Sequence, residues 1–144
     1  MIEQPDCTFC QIASGRLNAN IVYEDDESLA FLDIHPLFPG HVLLCPREHY
    51  ETLTDLPMSM AGPMMVKTQL LARAVEGAMD AEGTFIAVNN RVSQTVPHLH
   101  IHVVPRRRRD GLKGFFWPRT PYRDEAARAV VCDAIQREVQ KLLV

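Results

Sequence analysis

The chain has 144 residues, 47% of them hydrophobic, with a net charge of −3. That is enough apolar material for one ordinary core, and the mild negative charge argues against a dedicated nucleic-acid or membrane-surface protein. The start, "MIEQPDCTFC", shows neither a basic nor an apolar leader region, and nowhere do 18 apolar residues run uninterrupted, so the expected setting is the cytoplasm.

The first elements in chain order are short strands. "ANIVYED" and "SLAFLDI", parted by the acidic turn Asp25 to Glu27, predict a hairpin, and "GHVLLCP" follows the "HPLFPG" turn as a third strand. From about Asp55 to Glu82 the composition turns to Met, Ala, Leu, Lys and Gln. Met64, Thr68, Leu71, Val75 and Met79 recur at helical spacing, with Pro63 expected in the first turn and Gly83 as the stop. "TFIAVNN" and "VPHLHIHVV" read as two further strands. Asp124 then opens a closing helix with Ala127, Val130, Val131, Ile135, Val139 and Leu142 along one stripe. No internal repeat or flexible linker divides the chain, so residues 1–144 read as a single domain, with 111–144 a C-terminal aromatic segment and helix. The order β-β-β-α-β-β-α predicts an α+β domain with an antiparallel sheet and both helices on one face. The aromatic run Phe115, Phe116 and Trp117 suits no regular element. It reads equally well as a plug at the core edge or as part of a subunit interface.

Three of the six histidines, His98, His100 and His102, occupy alternate positions of "PHLHIHVVP". In a strand they share one face, opposite Leu99, Ile101 and Val103. One metal ion held by all three is a poor fit. At roughly 3.3 Å rise per residue the outer pair start about 13 Å apart, whereas both nitrogens must lie about 2 Å from the ion. A purely structural strand has no need of three imidazoles in register. What remains is a division of chemical labour, since an imidazole serves as nucleophile and as acid or base near neutral pH.

"CTFC" is a Cys-x-x-Cys pair, a signal shared by zinc sites and thiol redox sites, although the βαβ context of a thioredoxin-like redox motif is missing. Cys45 and Cys132 lie among apolar residues and read as small hydrophobes.

"HLHIHVV" matches the His-φ-His-φ-His-φ-φ pattern (φ apolar) of the histidine triad family of nucleotide hydrolases and transferases. The resemblance spans roughly residues 7 to 106 through five ordered motifs: "CTFCQI", "VYEDDESLAFLDI", "PGHVLLCPREH", "VNN" and "QTVPHLHIHVVPR". It implies a HIT-like fold, a five-stranded antiparallel sheet with two helices, joined in a homodimer to a ten-stranded sheet.

The same resemblance implies site roles. His100 is the expected nucleophile on an α-phosphorus, its second ring nitrogen held by the backbone carbonyl of His98. His102 is the expected donor to phosphate oxygens, with Gln94 and Thr95 as further polar contacts, and His41 reaches the cluster from the neighbouring strand. Asp33 stands where a family carboxylate accepts from ribose hydroxyls, Asn89 where an amide lies near phosphate and ribose. Ile34, Leu32 and Phe9 are candidates for the base slot, in competition with core packing. Bacterial members complete a zinc site from a Cys-x-x-Cys pair and two histidines, which here implies Cys7, Cys10, His49 and His98, one structural zinc per chain. One departure stands out: the family's glycine-rich link before the triad is replaced by "NNRVSQTV", with Ser93 where glycine is usual.

The activity implied is attack on the α-phosphate of adenosine phosphoramidates or dinucleoside polyphosphates through a nucleotidyl-histidine intermediate, releasing a nucleoside monophosphate. A nucleotide-binding adaptor with incidental hydrolysis is the alternative. An RNA-binding role for Arg106 to Arg109 with the aromatic run is a third reading, weaker than a solvated charge run beside an apolar anchor.

Overall fold

A computed structural model describes residues 4–113 and 119–143. The aromatic run Phe115 to Trp117 lies outside the described residues. The chain falls into two compact units, Met1–Asp110 and Gly111–Val144.

The first unit contains α1 (Thr8–Ala13), β1 (Ile21–Glu24), β2 (Ser28–Leu32), β3 (Val42–Pro46), α2 (Met58–Met79), β4 (Gly83–Ala87) and β5 (Ile101–Arg106). The strands form one antiparallel sheet in the order β1-β2-β3-β5-β4. Central position follows from composition: every residue of β3 is buried, and β2 is buried from Ser28 to Phe31. The period of two then sorts residues between faces. Ala30, Val42, Leu44, Leu99, Ile101 and Val103 pack with Met64, Leu71 and Val75 of α2. Leu29, Phe31, Leu43 and Cys45 pack on the other face with Phe9 of α1.

Two expectations are corrected here. The described residues hold three helices, not two, because a six-residue helix such as α1 is too short to display a hydrophobic period. The helices of this unit are not segregated to one face: α2 covers one side of the sheet and Phe9 brings α1 to the other.

Boundaries moved as well. The ladder of the triad segment begins only at Ile101, its last pair with β3 being Leu44 and Ile101. Pro46 and Pro97, which have no N–H to give to a ladder, flank the unpaired stretch. Leu99 N–H instead donates to the Tyr50 carbonyl at 2.6 Å. In α2, Pro63 lies past the first turn, and the helix ends not at Gly83 but at Asp80, which takes the left-handed conformation (φ 49°). Arg107 Nη2 donates to the Met79 carbonyl at 2.8 Å, satisfying one of the last carbonyls, and Gly83 opens β4.

Arg47 ties the sheet to its surroundings. Its guanidinium donates to the carbonyls of Asp25 (2.6 Å) and Ala13 (3.0 Å) and to Glu24 Oε2 (2.7 Å). The end of α1 is thereby fixed against the β1–β2 hairpin.

In the second unit, α3 (Glu125–Leu142) begins as the sequence predicts: Asp124 is the N-cap, and its Oδ1 accepts from Ala127 N at 2.7 Å.

Candidate active site and metal centre

The face of the sheet that carries Phe9 also carries the imidazoles. His98 and His100 are buried and His102 is half-buried. The rings of His100 and His102 lie 4.9 Å apart, and the Phe9 ring meets His100 edge-on at 5.1 Å and Phe31 at 5.2 Å.

His100 Nδ1 lies 2.7 Å from the His98 carbonyl oxygen. A carbonyl only accepts, so Nδ1 carries the hydrogen and Nε2 of the neutral ring keeps its lone pair. Burial lowers the His100 pKa from the ordinary histidine value; the His98 bond and the charge of Asp33 oppose this without reversing it. The site therefore favours an uncharged ring with one nitrogen available as a nucleophile. Burial, with the charges of His100 and His41, pushes His102 down to about 4.

His41 enters from the turn before β3. Its Nδ1 accepts from Leu37 N–H at 3.1 Å, and its Nε2 lies 2.9 Å from His102 Nδ1. Asp33, just past β2, accepts from His35 N–H at 2.9 Å through Oδ1, while Oδ2 lies 3.6 Å from His41 Nε2. Asp33, His41 and His102 together offer ligand-type atoms within 4.8 Å of one another.

A second cluster lies toward the N-terminus. Cys7, Cys10, His49 and His98 present ligand atoms within 4.8 Å of one another. His98 Nδ1 is 3.4 Å from Cys7 Sγ and 3.5 Å from Cys10 Sγ, and His49 Nδ1 is 3.4 Å from Cys10 Sγ. The chemistry of the set suits a metal. His98 Nε2–H donates to the Pro46 carbonyl at 2.8 Å, which leaves Nδ1 unprotonated and facing the thiols. Two thiols and two imidazoles convergent on one point are the donor set of a closed tetrahedral centre. His98 thus joins both clusters, by its ring to one and by its carbonyl to the other.

The remaining candidates are placed as follows. Phe9 is a core residue against His98 and His100, whereas Leu32 and Ile34 are exposed at the end of β2. Asn89 is half-buried in the segment after β4. The Gln94 amide is engaged by backbone: Nε2 donates to the Glu51 carbonyl and Oε1 accepts from Arg91 N–H, both at 2.7 Å. Thr95 lines a cleft of about 400 Å³ together with Cys7, His49 and Glu51. In the link, Arg91 (φ 67°) and Ser93 (φ 61°) occupy left-handed conformations, so the backbone has kept a glycine-like shape although the glycine is gone. Three of the four arginines of the basic run make ion pairs or hydrogen bonds within the fold. Arg106 pairs with Asp110 at 2.5 Å, Arg108 with Glu82 at 3.1 Å, and Arg107 caps α2.

Three contributors escaped the sequence reading: the Leu37 amide, the Pro46 carbonyl and the Phe31 ring. The first two are backbone groups, which carry no sequence signal. Phe31 was legible only as an apolar strand residue.

Comparison with known proteins agrees with this geometry. A family model described as the HIT domain matches residues 14–109. An uncharacterised HIT-like protein of Mycobacterium tuberculosis is 40% identical over 127 residues, 85% of this chain and 88% of the relative. The adenylylsulfatase HINT3 of Arabidopsis thaliana is 40% identical over 111 residues, 76% of this chain; the match spans 56% of that protein's length. Among solved structures, SMU.412c from Streptococcus mutans superposes with a TM-score of 0.82 at 33% identity, covering 95% of this chain and 87% of the other. A zinc-bound histidine triad family protein from Mycobacterium smegmatis gives 0.71 at 38% identity, covering 94% and 97%. No helix among the described residues is long and apolar enough to cross a membrane. The convergent imidazoles, the Cys/His centre and these matches make the chain a member of the HIT domain family of nucleotidyl hydrolases and transferases.

Proposed function

We propose that the protein is a nucleotidyl hydrolase or transferase that attacks the α-phosphorus of adenosine phosphoramidates or dinucleoside polyphosphates through His100. The observation that carries this reading is the 2.7 Å bond from His100 Nδ1–H to the His98 carbonyl, which leaves Nε2 as the reacting atom. Nε2 forms a bond to phosphorus while the bond from phosphorus to the leaving group breaks. The resulting nucleotidyl-imidazole keeps its Nδ1 proton against the carbonyl. Water then attacks phosphorus, the N–P bond breaks, and nucleoside monophosphate leaves with His100 regenerated. His102 faces the developing charge on the phosphate oxygens, and Asp33 accepts from the ribose hydroxyls. Asn89, Gln94, Thr95, Leu32, Ile34 and Phe9 complete the proposed nucleotide contacts. Cys7, Cys10, His49 and His98 would hold one zinc ion, whose chemistry is that of a structural cross-link with no open position for substrate.

The decisive experiment is a substrate panel, with adenylyl sulfate added because a relative carries the name adenylylsulfatase. A nucleotidyl adduct mapped to His100 by mass spectrometry is the expected result. His100→Ala should lower turnover by several orders of magnitude while AMP still binds. Wild-type-like turnover in that variant refutes the assignment, and a tight AMP complex with negligible turnover across the panel would favour an adaptor. We propose further that the protein is a homodimer joined through β4 and α2, since Leu53, Met65 and Ile86 are exposed around an apolar groove there. A concentration-independent monomer in sedimentation excludes that.

A further inference from the structure

His100 and His102 are two residues apart on one face, yet their Nδ1 atoms meet opposite chemistry. Nδ1 of His100 faces a carbonyl oxygen, 2.7 Å away. Nδ1 of His102 faces His41 Nε2, 2.9 Å away. Which of those two nitrogens holds the hydrogen is decided one step further back. Leu37 N–H is a backbone amide and only donates; it points at His41 Nδ1 from 3.1 Å. His41 Nδ1 must therefore supply a lone pair, and the single hydrogen of the neutral ring sits on Nε2. His41 Nε2–H then donates to His102 Nδ1, and the His102 hydrogen is left on Nε2. Burial favours the neutral form of both rings.

We propose that His41 is a positioning residue: by relaying the Leu37 amide it holds His102 in the Nε2–H tautomer, opposite to that of His100. The strand thus presents one imidazole with a free lone pair and a neighbour with a free N–H, a nucleophile beside a donor, although the two side chains are chemically identical. The turn before β3 makes this possible, because it brings the Leu37 amide and the His41 ring together across four residues. The same assignment bears on Asp33, His41 and His102 as a metal group. His41 Nε2 already holds a proton, and moving it to Nδ1 would set that N–H against the Leu37 N–H, so a divalent cation finds one of its three ligands blocked.

The inference rests on the proposed phosphate chemistry only for what His102 donates to; the tautomers stand apart from it. Imidazole ¹H–¹⁵N correlation spectra of the intact metal-loaded protein at pH 7.5 read them directly. His102 should show a protonated Nε2 and an unprotonated Nδ1, and His100 the reverse. In His41→Gln the side-chain amide can still donate to His102 Nδ1, so the tautomer is kept. In His41→Glu the carboxylate only accepts, so His102 switches to Nδ1–H or becomes imidazolium. His41→Leu, which places no charge in the site, should leave His102 as a mixture of tautomers. With turnover measured on the same samples, kcat should fall about 10²-fold or more in His41→Glu, with KM nearly unchanged, and His41→Gln should exceed it at least about tenfold. A wild-type His102 carrying its proton on Nδ1, or an unaltered His102 tautomer in both Glu and Leu variants, overturns the inference. A correct tautomer pattern in a protein that forms no adduct on His100 supports the relay and refutes the function.

Discussion

Gly40 is where the fold leaves least room beside the site. It has φ +94°, and a Cβ added there would lie 2.6 Å from Met79 Cγ, 3.0 Å from its Sδ and 3.2 Å from Pro105 Cγ. Gly40→Ala therefore carries two costs. The left-handed backbone contributes about 1–2 kcal/mol, and overpacking against the end of α2 a further 1–3 kcal/mol. The expected loss is about 2–5 kcal/mol, which at roughly 3 °C per kcal/mol lowers the thermal midpoint by about 6–15 °C. Denaturant titration of wild type, Gly40→Ala, Met79→Ala and the double variant separates the two costs. Shortening Met79 removes the two nearest atoms but leaves the backbone strain, so the double variant should be more stable than the sum of the singles by about 1–3 kcal/mol. A loss below about 0.5 kcal/mol in Gly40→Ala, or strict additivity, refutes the reasoning. The consequence reaches the site because His41 follows directly: its N–H donates to the Phe38 carbonyl and its carbonyl accepts from Asp33 N–H.

Metal stripping by a chelator should release one zinc per chain and lower the thermal midpoint, since His98 and His49 meet the N-terminal cysteines at that centre; turnover should fall more than AMP affinity, because the His98 carbonyl that orients His100 is loosened. Metal content by mass spectrometry and calorimetric AMP binding check the two halves. Asp25 gives an acid limb to stability. Burial raises its pKa, but hydrogen bonds from Lys67, Tyr23 and the Glu27 and Ser28 amides outweigh this and hold it far below the usual carboxylate range. Its folded value being depressed, its contribution is complete above the unfolded pKa of about 3.9 and is lost as pH falls below it. Asp25→Asn should flatten urea midpoints measured below pH 4 and cost about 1–3 kcal/mol at pH 7. Ser93→Val, placing a β-branched residue at φ 61°, should lose about 1 kcal/mol, whereas Ser93→Gly, which relieves strain the serine already bears, should be neutral or gain up to about 1 kcal/mol; denaturant midpoints distinguish them.

Legibility in the sequence followed the kind of information each feature needs. All five strands and the long helix were visible because alternation and the 3.6-residue period are written in side chains, and Met64, Thr68, Leu71 and Val75 do form the buried stripe of α2. The facing of the three imidazoles away from Leu99, Ile101 and Val103 was visible for the same reason. Ends were less visible. Asp80 takes the left-handed cap that a glycine would have advertised, so the stop was read three residues late, at Gly83. The triad segment was read as regular strand although Pro97 stands near its start and its ladder begins only at Ile101. α1 was missed because six residues complete less than two turns.

The site shows the same division more sharply. Residue types were enough to single out His98, His100 and His102, and the family resemblance added His41, but what each ring can do depends on which nitrogen is protonated, and that is set by backbone atoms. The Pro46 carbonyl fixes the hydrogen of His98 on Nε2, turning Nδ1 to the thiols. The His98 carbonyl fixes that of His100 on Nδ1, freeing Nε2. One ring turns its unprotonated nitrogen to a metal-type cluster and the next keeps its own for the reaction proposed above, although sequence offers the same letter at each. The contrast has a geometric origin. Before Ile101 the segment has not yet joined the ladder, so the His98 carbonyl can turn to the imidazole two residues on. Backbone atoms outside the β3–β5 ladder, the Pro46 and His98 carbonyls, thus set the protonated nitrogen of each ring, which residue letters alone do not reveal.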